Sequence, residues 1–316
     1  MNGILLVDKL GMPPLAAGEF VAPVDPNADP RRSPYPTSHD VVQQVRRLAK
    51  QKRIGHTGTL DPMASGLMVL CLGWATRLVE YYQGHDKRYT AEIALGAETD
   101  TLDALGKIVD TAPVPPLKIA DIEAALASFR GAIAQIPPLY SALKQEGESI
   151  HYKVRRGEEV LVQARPVTIY ALDLQEWRAP NRITLHVHCS AGTYIRSLAR
   201  DLGRALGTRG VLVGLRREEA GAFRVADAHT IADIALAADA GTLHTLLLAP
   251  GSGLDLPAVT IDAATAVRLG HGQAVELAGR VAGASPLAAR TEDGALQGIL
   301  VASGALWKAD KWFGNA

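Results

Sequence analysis

The run Gly55-His56-Thr57-Gly58-Thr59-Leu60-Asp61-Pro62-Met63-Ala64-Ser65-Gly66, followed by Leu67-Met68-Val69-Leu70-Cys71-Leu72-Gly73, decides how the rest of the chain is read. It carries three glycines, a proline and a single acid, Asp61, before the apolar stretch begins. Glycine permits backbone angles that other residues avoid, and proline fixes its own, so neither a regular helix nor a central strand fits. The run reads as a shaped loop feeding a buried strand of about six residues. A carboxylate held between Leu60 and Pro62, with His56 upstream, is the leading catalytic candidate. The competing reading is a surface turn with an incidental Asp, because Gly/Asp/Pro loops are common.

Composition narrows the setting. At 316 residues the chain is long for one domain and fits a large domain plus a small one. Apolar content of 47% and charged content of 21% are those of a globular protein. Lys+Arg and Asp+Glu stand at 33 each, so any nucleic-acid partner needs a local basic patch rather than a global charge. Cys71 and Cys189 sit in apolar, strand-like runs and read as buried free thiols in a reducing cytosol. The nine histidines lack metal-site spacing, and no metal is expected. No signal peptide is expected, and no apolar run reaches the roughly 20 residues of a membrane span.

Outward from the loop, Gly3 to Val7 reads as a first strand. Pro13 to Pro36 holds seven prolines and reads as an irregular, flexible surface insertion. Ser38 is the expected N-cap of a helix whose Val41, Val42, Val45 and Leu48 recur at helical spacing. That helix and its end carry Arg46, Arg47, Lys50, Lys52 and Arg53, either a solvated face or a phosphate-facing surface. Downstream of the loop, Ala75 to Gln83 reads as a short helix and Tyr89 to Gly96 as a strand. Tyr89 is either a packing aromatic or a stacking platform. Asp100 and Asp103 form either a capping turn or a glycosidase-like acid pair. Ile119 to Phe129 reads as an amphipathic helix, and Tyr152 to Arg156 as a second basic cluster.

Arg165–Trp177 and Arg182–Cys189 form an expected antiparallel pair joined at Pro180-Asn181. Thr193 is the expected N-cap of the next helix, with Gly203 as a break. A cation in the first turn opposes the helix dipole, so Arg196 needs a carboxylate or phosphate partner. Val211–Leu215 reads as a strand ending at Arg216-Arg217. Past Gly253 the composition shifts to short alternating runs: Ala258–Ile261, Gln273–Leu277, Gln297–Val301 and Ala305–Lys308. These define an expected small β-rich domain over 253–316, after a main domain over 1–252. The fold class is α+β, with a mixed, largely antiparallel central sheet and flanking helices.

Several ordered blocks coincide. They are Gly3–Lys9, Thr37–Val42, Gly55–Pro62 with Ala64-Ser65-Gly66, Lys87-Arg88-Tyr89, Pro137-Pro138 with Tyr140–Lys144, Gly192–Arg196, and Leu215-Arg216-Arg217. Together they resemble the TruB family of bacterial tRNA pseudouridine synthases. The resemblance implies isomerisation of the T-loop uridine at position 55 by a flipped-base mechanism, with tRNA as partner and no cofactor. It implies the pseudouridine synthase fold and a C-terminal PUA-like RNA-binding domain. By position it makes Asp61 the catalytic acid, Arg196 its partner and Tyr89 the residue stacking on the target base. His56, Tyr194 and Leu215 line the nucleotide pocket. Basic clusters at Arg46–Arg53, Lys153–Arg156 and Arg216-Arg217 are expected on phosphates. The chain departs from the pattern at Leu10, where the family has proline, and in the Pro13–Pro36 insertion. A cytoplasmic monomer is expected. Two alternatives stay open: a tRNA-folding factor with secondary or lost catalysis, and a glycoside or nucleoside hydrolase using Asp100 and Asp103.

Overall fold

The computed structural model describes the chain apart from residues 17, 23–32, 142, 143, 146, 147, 150–152, 154, 155, 157, 159, 278–284, 315 and 316. Its strands begin with β1 (Gly3–Lys9), β2 (Ile54–His56), β3 (Ser65–Leu72) and β4 (Lys87–Leu95). A ribbon of β5 (Ala97–Thr99) and β6 (Ile108–Thr111) precedes β7 (Gly131–Gln135). A second ribbon, β8 (Lys144–Gln145) and β9 (Glu148–Ser149), leads to β10 (Arg165–Arg178) and β11 (Arg182–Cys189). Then come β12 (Gly210–Ala220) and β13 (Phe223–Arg224). The main sheet has nine strands in the order β1-β3-β12-β4-β11-β10-β7, with β2 on β3 and β13 on β12. Only β12 against β3 is parallel; the other pairings described in this sheet are antiparallel. This is the mixed, largely antiparallel sheet the sequence predicts.

Successive residues of a strand face opposite sides, and β3 uses both sides. Leu67, Val69 and Cys71 join Ile4 and Leu6 in one core, while Met68, Leu70 and Leu72 join Leu5 and Val7 in the other. Burying one such side chain stabilises by about 1.5–3 kcal/mol, which explains an unbroken apolar run at the sheet centre. Helix Ser38–Leu48 covers the second core with Val41, Val42 and Val45, next to helix Ile231–Asp239. Helices Ile119–Ala127 and Ile195–Ala205 cover Ala91, Ile93, Leu95, Ile183, Leu185 and Val187.

Both expected caps shift by one residue. Thr37, not Ser38, caps the first helix: its hydroxyl accepts Asp40 N–H at 3.1 Å while Asp40 accepts Thr37 N–H at 2.9 Å. Tyr194, not Thr193, precedes the later helix, because the Thr193 hydroxyl donates to Ser190 O at 2.9 Å instead. Gly203 does not break that helix. A Cβ there would lie 2.3 Å from Gly210 N, so the glycine permits close packing on β12. The expected short helix at Ala75–Gln83 is a 3-10 turn, Gly73–Leu78, followed by Val79–Gln83.

The described residues of the insertion are irregular, but those of its first part are not loose. Ala22 is buried, and Leu15 and Phe20 pack with Met12 against Ala94, Ala104, Val211 and Val213. Residues 23–32 lie outside the described residues.

A four-stranded sheet, β14 (Ala258–Thr260), β15 (Leu287–Arg290), β16 (Leu296–Ser303) and β17 (Leu306–Trp312), forms the small C-terminal β-rich region. Gln273–Leu277 is not a strand; it makes a single bridge, Val275 with Trp307. The strand β15 replaces it, hidden in the sequence because alanine carries weak strand preference. Trp74 stacks on Phe313 with centroids 4.3 Å apart, and the Arg77 guanidinium donates to Trp312 O at 2.9 Å. No helix of the described residues is long and apolar enough to cross a membrane.

Candidate active site

The loop between β2 and β3 is shaped by three buried side chains reaching its backbone. Ser38 Oγ donates to Leu60 O at 3.0 Å and accepts Leu60 N–H at 2.8 Å. Lys9 Nζ donates to Leu10 O, Pro62 O and Ala64 O at 3.0, 2.9 and 2.5 Å. Arg217 donates through Nε to Leu67 O at 2.7 Å and through Nη2 to Gly58 O at 3.1 Å. Buried carbonyls require such partners, and here each also fixes where Asp61 stands. The floor is tight as well. Gly66 has φ +100°, and a Cβ there would lie 2.4 Å from Arg217 O, across the parallel β3–β12 pair.

Asp61 receives two hydrogen bonds from Arg196, Nη2 to Oδ1 and Nε to Oδ2, both 2.9 Å. The carboxylate side chain keeps 27% of its surface while the guanidinium keeps 7%. The acid thus keeps access to solvent while its cationic partner is buried. Arg196 also donates to Thr101 O at 2.9 Å and Tyr140 O at 3.0 Å, and Asp103 Oδ2 lies 3.7 Å from its Nη1. Burial disfavours the Arg196 charge, but Asp61 and Asp103 outweigh it and hold its pKa above the ordinary value. A bidentate arginine–carboxylate pair fixes both groups geometrically. The partner that the helix-dipole reasoning demanded for Arg196 is Asp61.

Of the remaining predicted residues, Tyr89 and Tyr194 lie close enough to feel the charge of Asp61, while His56 and Leu215 sit on the neighbouring strands. Tyr89 on β4 stands in register with Arg217 on β12, and Leu215 pairs Ala91 two residues along. Both belong to the apolar packing on either side of the sheet. Burial raises the Tyr89 pKa, keeping its phenol neutral, while Arg217 pulls the other way. Tyr194 is tied by its backbone to Gln135, N–H to Oε1 at 2.8 Å, one residue before Ile195 opens the helix that bears Arg196. His56 ends β2; burial lowers its pKa and holds the imidazole neutral. Its Nδ1 is buried and without a partner among the described residues.

One expectation is corrected, and one open choice is decided. Arg217 is 2% exposed and spends its guanidinium on the loop backbone, so it cannot reach phosphate. Arg216 is paired with Asp8 at 2.9 Å. Asp100 and Asp103 form a turn rather than an acid pair across a cleft. Asp100 accepts Lys107 N–H at 2.8 Å, and Asp103 is 4% exposed, accepting from Thr101 and Leu105. In the second basic cluster, Arg156 is occupied by Glu148 and Glu158, and Tyr152, Val154 and Arg155 lie outside the described residues. Sequence reasoning missed the loop-holding roles of Lys9, Ser38 and Arg217. No local signal marks them: Lys9 ends β1 beside Asp8, and Arg217 stands among Arg216, Glu218 and Glu219. No group of three metal-ligating side chains is placed to hold an ion among the described residues.

Known proteins share this architecture. A chain of a Cbf5-Nop10-Gar1 complex superposes with a TM-score of 0.71 at 23% identity, over 99% of this chain and 85% of that one. A chain of an H/ACA RNP bound to a substrate RNA containing 2'-deoxyuridine gives 0.68 at 21% identity, over 100% and 95%. Residues 46–195 match the family model described as TruB family pseudouridylate synthase (N terminal domain). The class is therefore that of the pseudouridylate synthases. The tRNA pseudouridine synthase B of Moorella thermoacetica is 44% identical over 251 residues, 78% of this chain and 81% of the relative. That of Xanthomonas oryzae pv. oryzae is 44% identical over 239 residues, 75% and 77%. The chain belongs to the TruB family.

Proposed function

We propose that this protein is a tRNA pseudouridine synthase that isomerises the T-arm uridine at position 55, with Asp61 as the group that acts on the nucleotide. The supporting observation is one partly exposed carboxylate gripped through both oxygens by a buried guanidinium, in a TruB-family chain. The reaction breaks N1–C1′, turns the uracil and forms C5–C1′. A proton leaves C5 and N1 gains one, so no atom is added and no electron is exchanged with a cofactor.

Arg196 grips both carboxylate oxygens of Asp61 and so aims the acid at the ribose or base. A loop uridine must be turned out of its stack, which costs a few kcal/mol. Tyr89 offsets this by stacking, a contribution of roughly 1–3 kcal/mol per base. Leu215, Tyr194 and a neutral His56 complete the walls around the extruded nucleotide. Residues 1–252 form the catalytic domain, and 253–316 a PUA-like domain that extends the RNA surface. The protein acts as a cytoplasmic monomer.

Tritium release from C5-labelled uridine in tRNA tests the assignment. Wild type is expected to release tritium, while Asp61→Asn binds tRNA with turnover lowered by about 1,000-fold or more. Binding without release by the wild type leaves a tRNA-folding factor as the surviving reading.

A further inference from the structure

We infer that the described residues of 10–22 (all but 17), the start of the segment that departs from the family pattern, act as a strap coupling the two loops that hold Asp61 and Arg196. The strap leaves β1 and first meets the Asp61 loop. Met12 N–H donates to Met63 O at 2.9 Å, and Gly11 runs so close that a Cβ would lie 2.5 Å from that same oxygen. It then turns at Ala16–Glu19, where Glu19 N–H donates to Ala16 O at 3.1 Å.

The buried Arg182 anchors that turn from below. Its Nη2 donates to Ala16 O at 3.0 Å and also to Glu19 O. Arg182 is 3% exposed, and its Nε and Nη1 have no hydrogen-bond partner among the described residues. Burying a guanidinium is costly, and the strap carbonyls share its compensation with Glu92, whose Oε1 lies 3.9 Å from Nε.

The far end of the strap grips the turn at 99–106. Ala22 N–H donates to Ala104 O at 2.8 Å, and Phe20 packs with Leu15 over Ala94, Ala104, Val211 and Val213. That turn is conformationally strained: Leu102 sits at φ +64°, a region a side-chain-bearing residue adopts only where its surroundings impose it. The same turn supplies Thr101 O, 2.9 Å from Arg196 Nη1, and Asp103 at 3.7 Å. Loosening the strap would let the strained turn relax and withdraw two of the groups that aim Arg196 at Asp61. Phe20, Ala22 and Arg182 are therefore positioning residues; none touches the reacting atoms.

The experiment compares wild type with Phe20→Ala and Arg182→Leu. The first changes a partly exposed ring and spares the sheet; the second covers the case in which one variant folds poorly. Amide exchange is read without RNA, and pseudouridine formation is read in single turnover with tRNA bound. Expected are faster exchange at residues 99–106 with unchanged exchange in β4 and β12, a rate lowered about 10-fold, and tRNA affinity within about 2-fold of wild type. Unaltered exchange in 99–106, a normal rate, or a loss in affinity rather than rate would each overturn the proposal. The kinetic arm rests on the proposed activity, whereas the exchange arm does not. An inactive wild type would count against the function and leave the strap to be decided by exchange.

Discussion

At the scale of single residues, the site turns on how charge is handled behind Asp61. Arg196→Lys keeps a positive charge but loses the planar fork, so the Asp61 geometry goes while the fold stays. Turnover is expected to fall about 100-fold with a near-normal melting temperature, measured by tritium release and calorimetry. Arg196→Leu instead leaves the 4%-exposed Asp103 without its cation, and denaturant unfolding is expected to show a loss of about 3–5 kcal/mol. Lys9 makes a pH prediction. Burial pushes its pKa from 10.5 down to about 8 in the folded protein. Between those values the unfolded chain holds more protons than the folded one, so stability rises with pH across that window and the penalty is constant below it. Wild type should gain stability between pH 8 and 10.5 relative to Lys9→Met. Lys87, also held at about 8, is present in both and cancels. A constant difference across that range would refute the assignment.

At the scale of elements, the parallel contact of β3 and β12 brings the loop and the Arg216-Arg217 strand together. Gly66→Ala adds a Cβ 2.4 Å from Arg217 O at a left-handed φ, so the contact must open. Denaturant titration should show about 1–3 kcal/mol of lost stability, with activity falling in parallel. The sheet-forming runs were legible in the sequence because their alternation or continuity records burial directly, as in Leu67–Leu72. Local cap chemistry was less so. Ser38 and Thr193 both fit a cap, and the tertiary demand of Leu60 on Ser38 and the local turn from Ser190 to Thr193 decided otherwise. The choice of Asp61 as the anion for Arg196 came from the family resemblance, while the need for an anion was legible from the place of Arg196 in a first helical turn. The work of Lys9 and Arg217 was not, since a buried charge is defined by backbone carbonyls distant in sequence.

At the scale of the molecule, the formal charge is zero, so RNA affinity must come from local surface. Arg47, Lys50 and Lys52 are exposed at the end of the helix that precedes the Asp61 loop, whereas Arg46 is engaged by Ile54 O at 2.8 Å. Replacing Lys50 and Lys52 by Gln should lower the slope of log affinity against log salt by about 1–2, with little change in bound-state rate. An unchanged slope would move the RNA path to another face. The β3 and β11 sulfurs carry a different consequence. Burial drives Cys71 up to about 12 and Cys189 to about 11, so neither forms thiolate while the sheets are closed. Modification by a thiol reagent therefore acts as a clock for opening of the folded chain. A cysteine introduced at the cleft rim could carry a dye alone, without first removing the native pair.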